Sequence, residues 1–249
     1  MFSFPAEAIF HIGIFKVTNS LINTIFVDFL ILIGSLFITK NIRIIPGLFQ
    51  NVVEITIQSF YEVTQSVSGE NAKKIFPYLM GFFIFILISN WSGLLPGVSS
   101  IGFFETYEGH KKLIPLVRVA TSDINTTLGL ALVSVIATHI MSIKTLGIAD
   151  YLSRFFSLNP INLFIGVLEI ISEITKVISL SFRLFGNIFA GEIVLLTTAG
   201  IFAYFFPIPF MLLEIIVGLV QALVFGMLTM TFMAVLTAPH HEAKAQGEN

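Results

Sequence analysis

The stretch that decides the fold is residues 160–207, which read PINLFIGVLEIISEITKVISLSFRLFGNIFAGEIVLLTTAGIFAYFFP. Asn159 can cap a helix and Pro160 suits its first turn, and no further proline occurs before Pro207. An unbroken helix of about 40 residues would be about 60 Å long, roughly twice the hydrocarbon core of a bilayer. The sequence therefore predicts one exceptionally long helix.

A second long apolar run follows, from residue 208 to residue 238, and would be about 45 Å long as a helix. Pro207 and Pro209 place a tight break between the two runs. Two runs this long exceed the thickness of the membrane core, and one possible explanation is that each helix is interrupted along its length. We favour a long, steeply tilted helical hairpin over residues 160–238.

Ionisable residues interrupt this hairpin, although such groups are costly within a membrane span. At about 100° per residue, several polar residues at spacings of three and four share one narrow face. This polar stripe consists of Glu169, Ser172, Lys176, Ser179, Arg183 and Asn187. Glu192, nine residues after Arg183, faces nearly the opposite way.

The charges have both structural and functional interpretations. Glu173 and Lys176, three residues apart, can simply form an ion pair. Arg183 has no acidic residue nearer than nine positions along the helix, so its partner lies elsewhere. Backbone carbonyls of another helix are one candidate; a partner outside this chain is the one we favour.

Arginine cannot release its proton inside a protein and acts as a fixed positive charge. The carboxyl groups of Glu192 and Glu214 can take up and release protons. A fixed cation near titratable carboxylates suits a proton path with an electrostatic barrier. On the second helix, Gly218, Ala222 and Gly226 form a small-residue face for close packing, and Gln221 lies on the side of Glu214.

The rest of the chain adds three apolar spans and one amphipathic segment. Polar residues recur every three or four positions over residues 44–67, which favours a helix in the membrane interface over a membrane-spanning one. The predicted fold is an all-α membrane protein with about five membrane helices plus this interfacial helix. Its single domain, 1–249, comprises an N-terminal segment 1–20, spans 21–39, 76–95 and 124–143, the hairpin 160–238 and a polar tail 239–249.

Composition supports a membrane protein and excludes several other classes. Hydrophobic residues make up 55% of the chain and charged residues 11%, and the mean hydropathy is +0.93. The net charge of −2 argues against a nucleic-acid partner, and zero cysteines exclude disulfides and thiolate metal sites. We find no phosphate-binding, dinucleotide or zinc motif, so we expect no cofactor and no metal. His139 is interpreted as a buried structural imidazole, and Asp28 and Asp123 as residues that cap or flank helices.

Four blocks of sequence resemble subunit a of the F-type ATP synthase. The most specific is SLSFRLFGNIFAGE at residues 179–192. The others, in matching order, are SNWSGLLPG at 89–97, TSDINTTLGLA at 121–131 and QALVF at 221–225.

The resemblance implies a stator subunit, itself no enzyme, with two ion half-channels beside a rotating ring of c subunits. Arg183 would be the essential charge facing the ring carboxylate, with Asn187 and Gln221 nearby. Glu192 and Glu214 would line one half-channel, while Glu169, Glu173 and Lys176 would fall towards the other. It also implies a peripheral-stalk subunit b and the rest of the synthase as partners, with the proton as the favoured ion and sodium left open.

If the chain crosses the membrane five times, lysine and arginine are more numerous in the segments on the same side as the C-terminus. The positive-inside rule therefore predicts that this side is the cytoplasm or its equivalent. The charged tail and the Met1 start favour a bacterial plasma membrane over an organellar inner membrane. A secondary transporter would be expected to contain internal repeats, and none is found. A membrane scaffold would not need an unpaired Arg183.

Overall fold

The computed structural model describes residues 8–12, 15–40, 42–95, 102–107, 110–115, 117–155, 160–201 and 207–238. The predicted cap at Asn159, the predicted polar tail 239–249 and the first residues of the N-terminal segment lie outside these ranges.

The described residues form a helical membrane protein, so the predicted all-α class is confirmed. The helices are α1 (Asn19–Lys40), α2 (Leu48–Ser68), α3 (Ala72–Ser92), α4 (Ile124–Leu146), α5 (Ile148–Phe155), α6 (Pro160–Ile201) and α7 (Pro207–Thr237). Two short antiparallel hairpins, which the sequence analysis did not predict, pair β1 (Ala8–Ile12) with β2 (Phe15–Thr18) and β3 (Gly102–Tyr107) with β4 (His110–Pro115).

Length and apolar composition make four described helical stretches suitable for crossing a membrane: Asn19–Lys40, Leu48–Ser92, Ile124–Leu146 and Pro207–Thr237. In α1, only four side chains close to its N-terminal end are buried, and most of its remaining length exposes apolar residues. Such a surface is stable in contact with lipid and unstable in water. α6 is a continuous helix of 42 residues, as its uninterrupted sequence predicts.

The core of the bundle lies between α3, α4, α6 and α7. Buried apolar side chains from these four helices form one continuous cluster. It contains Phe82, Phe83, Ile86, Ala131, Leu180, Leu184, Ile188, Ala222 and Phe225. This packing fixes one long side of α6 against the bundle, so that its other side remains available.

The small-residue face of α7 packs closely against α3, as predicted. Gly218, Ala222 and Gly226 are all buried. A Cβ atom added at Gly218 would lie 3.1 Å from the Cβ of Asn90, and one at Gly226 would lie 2.9 Å from Leu79 Cδ1 and 3.2 Å from the Leu79 carbonyl oxygen. Backbone approach this close is what small residues permit in a membrane.

The amphipathic segment forms α2, and its C-terminal half contacts α3. The rings of Phe60 and Phe83 lie 4.8 Å apart between centroids, and those of Tyr61 and Phe76 lie 5.4 Å apart. On the exposed face, the Gln58 amide donates a hydrogen bond of 2.9 Å to Glu62. Its location in the membrane interface, and the steep tilt of the α6–α7 hairpin, stay predictions.

Replacing Gly226 with alanine should destabilise the bundle by about 1–3 kcal/mol, because the new methyl group meets the α3 backbone as well as a side chain. Gly81→Ala is the matched control, since nothing lies within 4 Å of a Cβ at Gly81. The measurement is the temperature at which the purified complex dissociates in detergent. Equal dissociation temperatures for the two variants would contradict the close packing.

Candidate functional site

The available side of α6 forms a groove with α7. The α6 groove has a volume of about 390 Å³. Its polar lining includes four members of the predicted stripe, and its α7 wall is apolar. The lining residues are Leu168, Ile171, Ser172, Thr175, Lys176, Ser179, Leu180 and Arg183 from α6, with Leu228 and Phe232 from α7.

Arg183 is the exposed cation of this groove. Its Nη2 donates a hydrogen bond of 3.2 Å to Ser179 Oγ, one turn earlier in α6. Within the described ranges, no carboxylate lies within 4.0 Å of its guanidinium. Asn187, one turn further along, is exposed as well, and it forms no hydrogen bond with Arg183. The local sequence thus places a positive charge on an open surface without a local counter-ion.

Other titratable groups gather at the end of α6 that precedes Arg183, in what we call the Glu173 cluster (His139, Tyr151, Arg154, Glu169, Glu173 and Lys176). Lys176 Nζ lies 2.7 Å from Glu173 Oε1, which confirms the predicted pair, and 4.7 Å from the centre of the Phe232 ring. Glu169 Oε1 instead lies 3.2 Å from Arg154 Nε. The cluster therefore includes two ion pairs, one of them to a helix outside the hairpin.

At the other end of α6, Glu192 pairs with Arg118, a residue that the sequence did not single out. Arg118 Nη2 lies 3.5 Å from Glu192 Oε2, and the Arg118 side chain is only 8% exposed. Its Nε donates a hydrogen bond of 3.1 Å to Ser122 Oγ, and its guanidinium lies 5.9 Å from the centre of the Phe189 ring. The sequence signal that could have identified Arg118 is its position shortly before Asp123, the N-cap of α4. Asp123 accepts a hydrogen bond from the backbone amide of Asn125.

Glu214 can lie beside this pair because Gly191 of α6 has no side chain to keep it away. A Cβ atom at Gly191 would be 3.1 Å from Glu214 Oε1, so the Glu214 carboxyl group lies against α6 next to Glu192. Glu214 Oε2 is buried and has no hydrogen-bond partner in the described part of the protein. Together, Arg118, Glu192 and Glu214 form the Glu192 cluster, in which Arg118 pairs with Glu192 and Glu214 approaches the same part of α6.

Hydrogen bonds from α3 hold the α7 side of this region. Asn90 Nδ2 donates to the Gly218 carbonyl at 3.1 Å, and Trp91 Nε1 donates to the Ile215 carbonyl at 3.2 Å. Gln221 lies on α7, three residues after Gly218, and is half-buried. Among the described residues, it has no hydrogen bond to Arg183.

Arg183 lies midway between the two clusters along the helix. Glu173 precedes it by ten residues and Glu192 follows it by nine. At a rise of about 1.5 Å per residue these separations are about 15 Å and 14 Å. Their total is close to the hydrocarbon thickness of about 30 Å. Along the axis of α6 the two clusters are therefore about 29 Å apart, with the exposed cation between them.

The sequence matches the family of the ATP synthase A chain over residues 21–234. The chain belongs to this family. It is 32% identical over 230 residues to ATP synthase subunit a of Moorella thermoacetica, covering 92% of this chain and 95% of that protein. It is 30% identical over 247 residues to ATP synthase subunit a of Legionella pneumophila, covering 99% and 97% of the two chains.

Membership of the ATP synthase A chain family defines the protein in coarse terms. It is an integral membrane subunit of the stator of an F-type ATP synthase, and it is not catalytic, since the catalytic sites of the complex belong to another sector. The matched region extends from α1 nearly to the end of α7 and includes both clusters and Arg183.

We expect the ion pair between Arg118 and Glu192 to contribute to the stability of this ATP synthase A chain. Arg118→Gln should lower the free energy of unfolding by about 1–3 kcal/mol, because the Glu192 carboxylate loses its buried cationic partner. Adding Glu192→Gln should recover part of that loss, since one uncompensated charge is then removed. The measurement is the dissociation temperature of the assembled complex for each variant.

Arg43→Gln is the control for loss of an arginine, because Arg43 is exposed. If the losses from Arg118→Gln and Glu192→Gln simply add in the double variant, the two side chains do not interact and the assignment of the pair is wrong.

Proposed function

We propose that this chain carries protons between the two sides of the membrane and a rotating ring of c subunits, with Arg183 as the fixed charge that separates two half-channels. The observation that carries the proposal is the exposed guanidinium of Arg183 on the α6 groove, between two clusters of titratable side chains. A charge open to the membrane interior is costly unless a partner compensates it. A ring subunit that presents a carboxylate to the groove would supply that compensation.

The Glu192 cluster is suited to one half-channel. Glu214 of α7 approaches the α6 backbone at Gly191, next to Glu192, and in the described part of the protein one of its carboxylate oxygens lacks a hydrogen-bond partner. Arg118 can stabilise a single negative charge on the two carboxylates, so a proton is readily shared between them. Asn187 and Gln221 would act as polar neighbours of the path between this cluster and Arg183.

The Glu173 cluster is suited to the opposite half-channel. Lys176 contributes to the α6 groove itself, and its ammonium pairs with Glu173 behind the groove wall. Glu169 lies one turn further towards the helix end, paired with Arg154. A proton released by the ring carboxylate on this side of Arg183 would leave through these groups.

Arg183 would perform two tasks at once. It attracts the ionised ring carboxylate, which favours proton release, and it repels a proton that would otherwise pass directly between the half-channels. Because each charge moved through 100 mV is worth about 2.3 kcal/mol, several protons must pass for each ATP made in the catalytic sector. The remaining partners in this proposal are subunit b of the peripheral stalk and, since the relatives reported above are bacterial, the lipid of a bacterial plasma membrane.

Arg183→Ala should abolish ATP synthesis and raise passive proton leak through the assembled complex, because both tasks of the guanidinium are lost. Arg183→Lys should block the leak better than alanine does yet fail to restore efficient synthesis, since an ammonium in a dry setting can lose its proton and lacks the planar fork. The measurement is acid-driven proton uptake and ATP synthesis in vesicles at matched assembly. Ile178→Ala, an exposed position off the stripe, is the control. Normal synthesis with Arg183→Ala would end the proposal.

Replacing Glu192 or Glu214 with glutamine should slow proton flux in the same vesicles while leaving the complex assembled. The double replacement should cost less than the product of the single losses, because the two carboxylates share one path and are not independent. Multiplicative losses would mean that the two glutamates act on separate steps, contrary to a shared half-channel.

A further inference from the structure

A histidine, a tyrosine and a glutamate meet where α4, α5 and α6 come together. His139 Nδ1 lies 3.0 Å from the Tyr151 hydroxyl, and His139 Nε2 lies 3.6 Å from Glu173 Oε2. The other Glu173 oxygen pairs with Lys176, whose side chain contributes to the α6 groove. The four side chains follow one another from the groove to α5.

Two backbone features bring Tyr151 to this position. Gly147 has a φ of 89°, which L side chains rarely adopt, and this conformation turns the chain from the end of α4 directly into α5. At the other end of α5, the carbonyl of Phe155 packs against Gly166 of α6, where a Cβ atom would clash. These contacts hold α5 across the ends of α4 and α6.

Imidazole has the chemistry to pass a proton between two such neighbours. It can accept a proton on one ring nitrogen and release one from the other, and it changes charge between about pH 5 and 8. The His139–Tyr151 contact is within hydrogen-bond distance. The His139–Glu173 separation is slightly beyond it, so a small side-chain shift would complete the connection.

We propose that His139 relays protons between Glu173 and Tyr151 and thereby connects the α6 groove to the aqueous phase at the α5 end of the bundle. The proposal rests on the proposed function and adds two residues to the half-channel on this side. In the direction of release, Glu173 protonates Nε2 of His139, Nδ1 passes its proton to the Tyr151 oxygen, and the tyrosine hydroxyl releases its own proton to water. The reverse sequence serves proton entry.

The charged groups around His139 come from several helices, and most of them are paired with one another. From α6, Glu173 is balanced by Lys176, and Glu169 is balanced by Arg154 of α5. α7 contributes the Phe232 ring and the backbone carbonyls of residues 235 and 236, which accept hydrogen bonds from Arg154. Burial and the nearby charge of Glu173 raise the pKa of Tyr151, which keeps its hydroxyl protonated and able to donate. Lys144, on α4 itself, is exposed.

The alternative role for these residues is to fasten α5 to the bundle. His139→Gln in the assembled complex separates the two roles, because glutamine keeps a polar side chain that can hydrogen-bond but cannot relay a proton. Ser142→Ala is the matched control: Ser142 lies one turn away on α4 and donates a 2.7 Å hydrogen bond to the Leu236 carbonyl, so its loss removes an interhelical contact without a titratable group.

The measurement is proton flux through complexes in vesicles, driven by ATP hydrolysis and by an imposed gradient, as the pH on the α5 side varies between about 5 and 8. His139→Gln should lower the flux by roughly tenfold or more and flatten its pH dependence. Ser142→Ala should leave both unchanged. Flux and pH dependence in His139→Gln that match those of Ser142→Ala would overturn the relay.

Tyr151→Phe decides the question if His139→Gln fails to assemble, because phenylalanine keeps the ring and removes only the hydroxyl. A flux at least several times lower than wild type supports the relay, and an unchanged flux overturns it. Arg183→Ala, measured in parallel, keeps the two proposals distinct. If it abolishes synthesis while the His139 and Tyr151 variants are normal, the relay is wrong and the proposed function stands.

Discussion

A charged side chain in the hydrocarbon core of a membrane costs roughly 2.5 kcal/mol or more unless another group compensates it. This cost explains the arrangement of the charges on α6. Glu169, Glu173 and Lys176 each have an ionic partner within the chain, and Glu192 has Arg118. In the described part of the protein, Arg183 alone among the α6 charges lacks one. Among the described charges of α6, the need for an external partner is therefore concentrated at Arg183.

The packing of the hairpin makes this arrangement possible. The small residues of α7 allow it to approach α3 closely, and Gly191 allows Glu214 to approach α6. One side of α6 is thereby fixed by a buried apolar cluster, while the stripe on its other side remains open. One face of α6 packs in the core and the other carries the polar stripe. The 42-residue helix can therefore hold titratable groups towards both of its ends without losing its packing.

Local spacing made much of this predictable. The length of α6 follows from the absence of proline between Pro160 and Pro207. The polar stripe, the Glu173–Lys176 pair and the small-residue face depend on neighbours three or four positions apart. The Arg118–Glu192 contact joins residues 74 positions apart, and the Tyr151–His139 contact depends on how α5 turns back at Gly147. Such contacts are set by tertiary packing, so the sequence did not single out Arg118, and His139 was interpreted as structural. The β-hairpins lie outside the apolar runs on which the prediction relied.

The central claim is that the stripe on α6 faces a carboxylate-bearing helix of the ring. The chain has no cysteines, so pairs of introduced cysteines can test this directly. Cysteines at Ser172, Ser179 and Asn187, on the stripe, should form disulfides with a cysteine placed beside the ring carboxylate. Cysteines at Ile174 and Ile178, which are 58% and 51% exposed but lie on another face, should not. Cross-links at the two isoleucine positions and none on the stripe would contradict the account.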